Sequence, residues 1–487
     1  MRNNLSFHEI VGGNFGRKTS YANVEKVTEG NILKVMGDTI GNFNFNKRAI
    51  QYLWNYKKGN QPALYRTKTS RDDIINRVVE NHAWEIVRFK NGQTYGEPVQ
   101  YVSLRKEDEI NKAVDTLNDY MRAAGKARKD IDSGEWTSAV GTGYKAIQRK
   151  NGDIPFRIIA PSPMNTYAVY SSITEEHILS VQELKDENDQ LYYLCYSDTH
   201  EFIVKNGSLS DVVDSNGNVV KSKPHGFGGI PIIEYPNNQD RISDIELVYS
   251  MLDAINTIQS NRVDGIEQFV QSWVKFVNCE VDRDAFEEMK MMGALVVKSN
   301  NGSENKADVD IMTQELNQSQ TQVSKDDLWD SILDILAMPN KHETSGGDTQ
   351  GAIQLRNGWD QSKQAAKIKD QYITESDNKL GMLAINQLRL SGIENLPLTP
   401  MDFETHIIHS PTDNMLTKTE SLQMLLQSGI NPQIAIDTAG LWTDSEKVFL
   451  NSKPYLDAIY KTSDQIEKES AVVAPEPQEN EPQADEK

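Results

Sequence analysis

Ile230-Pro231-Ile232-Ile233-Glu234-Tyr235-Pro236-Asn237-Asn238 closes a run of strand-like sequence, and Ser243 with Glu246 three residues on makes a capping box for a helix. The apolar stripe that follows is Ile245, Val248, Leu252, Ile255, Ile258, Ile266, Phe269, Val270, Trp273 and Val277. A helix carrying all of it spans about 50 Å at about 1.5 Å per residue, longer than a small domain is wide. Burying each large apolar side chain is worth about 1.5–3 kcal/mol before entropy, so a wet stripe is costly and cover by further copies of the chain is the economical solution.

Upstream, residues 142–235 alternate short β-branched and aromatic runs with the turn dipeptides Asn151-Gly152, Asn206-Gly207 and Asn216-Gly217, which predicts an antiparallel sheet. Its clearest strands are 167–170, 191–196 and 201–204, with the acidic residues 186–189 in a solvated turn. Residues 46–102 and 107–128 show helical spacing, whereas 1–45 is weakly patterned and reads as an arm.

Downstream, a compact insert over 281–312 holds a strand candidate at 294–297 and a polar tip at 299–306. A second helix then carries Leu316, Val323, Leu328, Trp329, Ile332, Leu333 and Leu336, and Met338-Pro339 ends it. A polar, Gly-rich loop follows, then a long helical stretch over 350–391 and a strand candidate at 402–409. Short helices over 418–460 are punctuated by Gly429, Pro432, Gly440 and Pro454. From residue 467 there are seven acids, two lysines and three prolines with little to bury, so the tail reads as disordered. The fold class expected is α+β, mainly helical.

With 487 residues, about three domains are expected. The formal charge, 51 − 71 = −20, argues against a protein that grips nucleic acid by neutralising phosphates. No apolar run approaches the roughly 18 residues of a membrane span, and the start MRNNLSFHEIVGG lacks a secretory signal region, so a cytoplasmic origin is expected. Cys195 and Cys279 read as ordinary buried thiols.

Motifs for catalysis are missing. Gly12-Gly13-Asn14-Phe15-Gly16-Arg17-Lys18-Thr19 fails as a phosphate loop because Arg17 stands where glycine is needed and no strand precedes it. His342-Glu343 lacks the second histidine of a zinc helix, His82 and His200 have no ligand spacing, and His406 and His409 read as a polar edge. No catalytic residue, metal ligand or cofactor is expected. Trp273, Trp329 and Trp359 read as packing anchors.

Tyr56-Lys57-Lys58-Gly59-Asn60-Gln61-Pro62, Asn76-Arg77-Val78-Val79-Glu80-Asn81, Gly96-Glu97-Pro98-Val99, Gly141-Thr142-Gly143-Tyr144, residues 163–170, residues 230–238 and Gly346-Gly347-Asp348-Thr349-Gln350-Gly351 follow one another in an order that resembles portal proteins of tailed double-stranded DNA bacteriophages, of the siphophage type. The resemblance implies a portal fold with wing, stem, clip and crown, forming a dodecameric ring at the capsid portal vertex. It places an N-terminal arm at 1–45, wing at 46–240, stem helices at 241–278 and 315–338, clip at 279–314, tunnel loop at 339–350, a long channel-side helix and wing return at 351–409, crown at 410–465 and the acidic tail at 466–487. Partners implied are further copies of the chain, the terminase large subunit, which would hold the ATPase chemistry, the head-tail adaptor, scaffold and major capsid protein, and double-stranded DNA passing without sequence preference; no membrane is implied. Localisation would be the virion, after assembly in the host cytoplasm.

By the same resemblance Asn340, Lys341, His342, Glu343, Thr344 and Ser345 form the tunnel loop. Lys298, Ser299, Asn300, Asn301 and Lys306 form the clip tip that meets terminase and adaptor. Asp264, Glu267, Asp327, Asp330 and Asp334 are candidates to line the stem channel, where carboxylates repel phosphates and let DNA slide. The competing reading is a cytoplasmic helical scaffold or adaptor protein without a channel.

Overall fold

The computed structural model describes residues 7–13, 15–69, 73–105, 107–214, 217–270, 273–277, 284, 308–312, 318–340, 358–409, 415–442 and 445–459. The chain divides into two compact units, Met1–His409 and Ser410–Lys487, rather than three.

In the first unit the helices are α1 (Phe7–Val11), α2 (Ile32–Lys57), α3 (His82–Tyr95), α4 (Asp108–Ala123), α5 (Lys126–Val140), α6 (Tyr249–Val270), α7 (Gln318–Ile335) and α8 (Trp359–Ser391). Its strands are β1 (Ser20–Ala22), β2 (Gln100–Ser103), β3 (Thr142–Arg149), β4 (Phe156–Ile159), β5 (Thr166–Ser171), β6 (His177–Lys185), β7 (Leu191–Tyr196), β8 (His200–Lys205), β9 (Ser208–Leu209), β10 (Val212–Val213), β11 (Val219–Val220), β12 (Ser222–Pro224), β13 (Ile232–Pro236), β14 (Trp273–Val277), β15 (Asp308–Met312) and β16 (Phe403–His406).

The expected antiparallel sheet is present. Its strand order is β1-β5-β6-β7-β8-β12, with β9 on β8 and only β1 running parallel to its neighbour. Asn206 (φ 52°) and Gly207 (φ 73°) both take the left-handed conformation that a tight hairpin between β8 and β9 requires. A second sheet, β13-β3-β4, sets Glu234 opposite Tyr144 and Tyr235 opposite Gly143.

The stretch expected as an arm is built into the body. One half of α2 lays Ile32, Val35, Met36 and Phe43 on the first sheet against Tyr167, Val181 and Cys195, and its other half joins Phe7 and Val11 of α1 in a core shared with α5, α6 and α7. Weak patterning arose because α2 buries different faces along its length, which blurs a single 3.6-residue stripe. The helix expected over 107–128 is two helices, divided at Gly125, whose φ of 78° breaks the α conformation.

The paired helices also differ from expectation. The capping box forms, with the Ser243 N–H donating to Glu246 Oε2 at 2.8 Å and the Glu246 N–H to Ser243 Oγ at 3.2 Å. Turns then lead into α6, which ends at Val270 after 22 residues, about 33 Å. Trp273 and Val277 lie instead on β14, paired with Met312 and Asp308 of β15. Residues 294–297 and 299–306 fall outside the described residues, as does Cys279. Cys195 is fully buried and unpaired, and burial pushes its thiol up.

The second unit contains α9 (Met415–Gln427), α10 (Pro432–Ala439) and α11 (Ser445–Ile459). Asn431 caps α10 by accepting the Gln433 N–H at 2.9 Å, and Gly440 (φ 57°) ends it. Pro454 lies within α11 rather than at a break.

Candidate functional site on the paired helices

α6 and α7 share a core in which Leu252 and Ile255 join Ile332 and Leu333, with Leu336 just past the end of α7, and Arg262 of α6 donates to Gln322 of α7 at 2.7 Å. Their inner faces continue the core containing Tyr56 of α2 and Val140 of α5. Ile266 (53 % exposed) on α6 and Val323 (58 %) and Ile335 (48 %) on α7 remain open in the single chain.

The polar face of α6 is occupied from within the chain. Asn256, Ser260 and Asp264 are buried, and they receive the backbone N–H groups of Glu80 (2.8 Å), Val78 (3.0 Å) and Asn76 (2.6 Å) in turn. Asp264 also takes Arg66 at 2.8 Å and the Lys68 ammonium, and burial, which would raise its pKa, is outweighed by Lys68 and Asn76, so it sits below the usual carboxylate range. Asp264 is thus 4 % exposed and occupied by these donors, where the sequence pattern alone suggested a solvated helix face. Glu267, half-buried, accepts Asn76 Nδ2 at 2.8 Å.

On α7 the candidates Asp327, Asp330 and Asp334 are exposed, and their spacing of three and four residues sets them on one helix face. Asn340 donates to Asp330 at 3.0 Å. Lys341, His342, Glu343, Thr344 and Ser345, and the tip residues Lys298, Ser299, Asn300, Asn301 and Lys306, lie outside the described residues.

Three buried charge sites brace the helices and escaped sequence reading. Arg17, just before β1, pairs with Glu246 of the capping box, and the Gly16 N–H donates to the same carboxylate at 3.0 Å. Burial pushes Glu246 up and Arg17 down, with their attraction opposing both shifts. Arg241 grips Glu234 with two bonds of 2.7 and 2.9 Å, and Tyr170 and Thr142 donate at 2.7 and 2.8 Å. Burial alone would raise Glu234, but Arg241 and these hydroxyls bring it down to about 2.

The third site is a neutral quartet. Lys126 meets Asp130 at 2.8 Å and Asp377 at 2.9 Å, and Lys145 meets Asp130 and, at 2.6 Å, Asp377, joining α5, β3 and α8. Against its burial, Lys126 and Lys145 hold Asp377 far below the carboxylate range. These partners lie 15 and 232 residues apart in sequence for Lys145, so no local pattern announces them.

The family model described as phage portal protein, SPP1 Gp6-like, matches residues 41–390, a span that holds both paired helices and all three charge sites except Arg17 and its loop. The chain belongs to the phage portal protein family.

A relative of this portal chain, the portal protein of Bacillus phage SPP1, is 24 % identical over 304 residues, which covers 58 % of this chain and 57 % of that one, little more than half its length. Among solved structures, a chain from the neck of an empty GTA particle computed with C6 symmetry has a TM-score of 0.42 at 11 % identity, covering 76 % of this chain and 89 % of that one. A chain from the neck of a native GTA particle computed with C12 symmetry has a TM-score of 0.42 at 10 % identity, covering 74 % and 90 %.

In the portal chain, no helix among the described residues is long and apolar enough to cross a membrane, and no group of three His, Cys, Asp or Glu among them could hold a metal ion. Trp329 and Trp359 on the helical elements are engaged: Trp329 meets His82 in a tilted pair with ring centroids 4.2 Å apart, and Trp359 meets Phe89 at 6.3 Å. His409 is more than an edge residue, since its ring reaches the Gln93 carbonyl at 3.0 Å and Asp370 at 2.5 Å, and the bond to Asp370 raises its pKa.

Proposed function

We propose that this chain assembles into a ring, dodecameric as in the sequence reading, at the portal vertex of a tailed phage capsid, and that DNA enters and leaves through its axis. The family match over residues 41–390 carries this reading. Support comes from the paired helices, which flank the β14–β15 ribbon in chain order, and from the exposed Ile266, Val323 and Ile335, which a neighbouring copy would cover. The ribbon side of the chain is the clip that docks the terminase large subunit and later the head-tail adaptor, through Lys298, Ser299, Asn300, Asn301 and Lys306. Scaffold and major capsid protein surround the ring in the virion, and the chain itself performs no catalysis.

Asp327, Asp330 and Asp334 form the acidic row of α7 that faces the channel, with Glu267 contributing at its margin. A surface of this sign repels phosphates and favours passage over capture. Asn340 and residues 341–345 form the tunnel loop at the narrowest point. Deleting residues 341–347 tests the assignment: rings still assemble but an in vitro packaging reaction with terminase protects no DNA from nuclease. Packaging at the full-length level would overturn the tunnel-loop role.

A further inference from the structure

Residues 74–80 have no helix or sheet of their own, yet they are fastened to α6 between Asn256 and Glu267. The amides of Asn76, Val78 and Glu80 meet Asp264, Ser260 and Asn256, and Ser260 Oγ returns a bond to the Val78 carbonyl at 3.3 Å. The spacing explains the fit. Four residues of helix rise about 6 Å and two residues of extended chain about 6.6 Å, so every second amide meets the next turn of α6. The alternation of extended chain sends the amides of Ile75, Arg77 and Val79 to the opposite edge.

The far end of this segment holds the other helix. Glu80 pairs with Lys325 of α7 at 2.5 Å, and His82, which opens α3, packs in a tilted ring pair against Trp329 of α7 while its nitrogens meet Glu80 and Glu85 at 3.1 Å each. Near its start, Arg66 and Lys68 close on Asp264; beside Glu80 at the far end, Gln61 accepts from Asn256 Nδ2 at 2.5 Å.

We infer that residues 73–82 are a strap that couples α6, α7 and α3 into one mechanical unit, with Asn256, Ser260 and Asp264 as its rail and Glu80 and His82 as its buckle. Asn256, Ser260 and Asp264 are positioning residues: they set the two helices relative to the body. The consequence for DNA transit rests on the ring reading above; the strap itself does not.

Amide-resolved hydrogen exchange on the full-length protein tests it without DNA. The amides of Asn76, Val78 and Glu80 exchange at least about tenfold more slowly than those of Ile75, Arg77 and Val79. Ser260→Ala removes one rung; it speeds the Val78 amide about tenfold and, through the buckle, the α7 amides of residues 325–333 about threefold, with β5 to β8 unchanged. Uniform exchange along 75–80, fast or slow, overturns the strap, as does an unmoved Val78 amide or an unmoved α7 in the variant. An alternating pattern in rings that transport no DNA leaves the strap standing and removes the conduit.

Discussion

Gly143 shows how much one missing side chain carries. A Cβ there would lie 2.5 Å from the Ser133 carbonyl oxygen and 2.6 Å from Thr137 Oγ1, so β3 meets α5 at a distance only glycine permits. Because the obstacle includes backbone, Gly143→Ala should cost about 2–3 kcal/mol, read as a lower denaturant midpoint. Gly141 is constrained twice, by a φ of 90° and by Arg241 O at 1.9 Å from the Cβ position. Both glycines stand out in the sequence as the block Gly141-Thr142-Gly143-Tyr144, but their reason is tertiary. Asp253 makes a pH-dependent prediction. Burial raises its pKa to about 6, although the Tyr56 hydroxyl donates to it at 2.8 Å. A carboxyl whose folded pKa exceeds the unfolded value of about 3.9 favours folding when protonated, so its contribution falls as pH rises from about 3.9 to 6. Asp253→Asn keeps the acceptor without the charge, and thermal melts should show it more stable than the parent by on the order of 1–2 kcal/mol at pH 7, with no advantage at pH 4. A parent that is equally stable at pH 7 would show the carboxylate already solvated.

At the scale of elements, local pattern located the sheet strands, the capping box and α7, because each is decided by neighbours in sequence. It overran α6 since Phe269, Val270, Trp273 and Val277 fit a helical stripe, while the partner that makes residues 273–277 a strand, β15, begins at Asp308, far along the chain. It missed the cover over Asp264 for a related reason: an acidic residue on a helix face reads as solvated until a distant segment is seen to cover it. The quartet of Lys126, Lys145, Asp130 and Asp377 was illegible, its members lying on three elements. The capping box is testable in isolation. Ser243→Ala removes the acceptor for the Ile245 and Glu246 amides, at 3.0 and 3.2 Å, and should cost about 1 kcal/mol, with the loss confined to the α6 entrance in hydrogen exchange.

For the molecule as a whole, the body that carries the paired helices is braced by charge sites at its centre and by the strap at its flank, while apolar side chains on α6 and α7 stay open. That combination is expensive for a solitary chain and economical for one that meets copies of itself around an axis. Negative-stain imaging of the purified full-length protein, sorted into end-on averages, measures this most directly. The account predicts closed rings with a central opening wide enough for duplex DNA; solitary particles without an axial opening at micromolar concentration would contradict it.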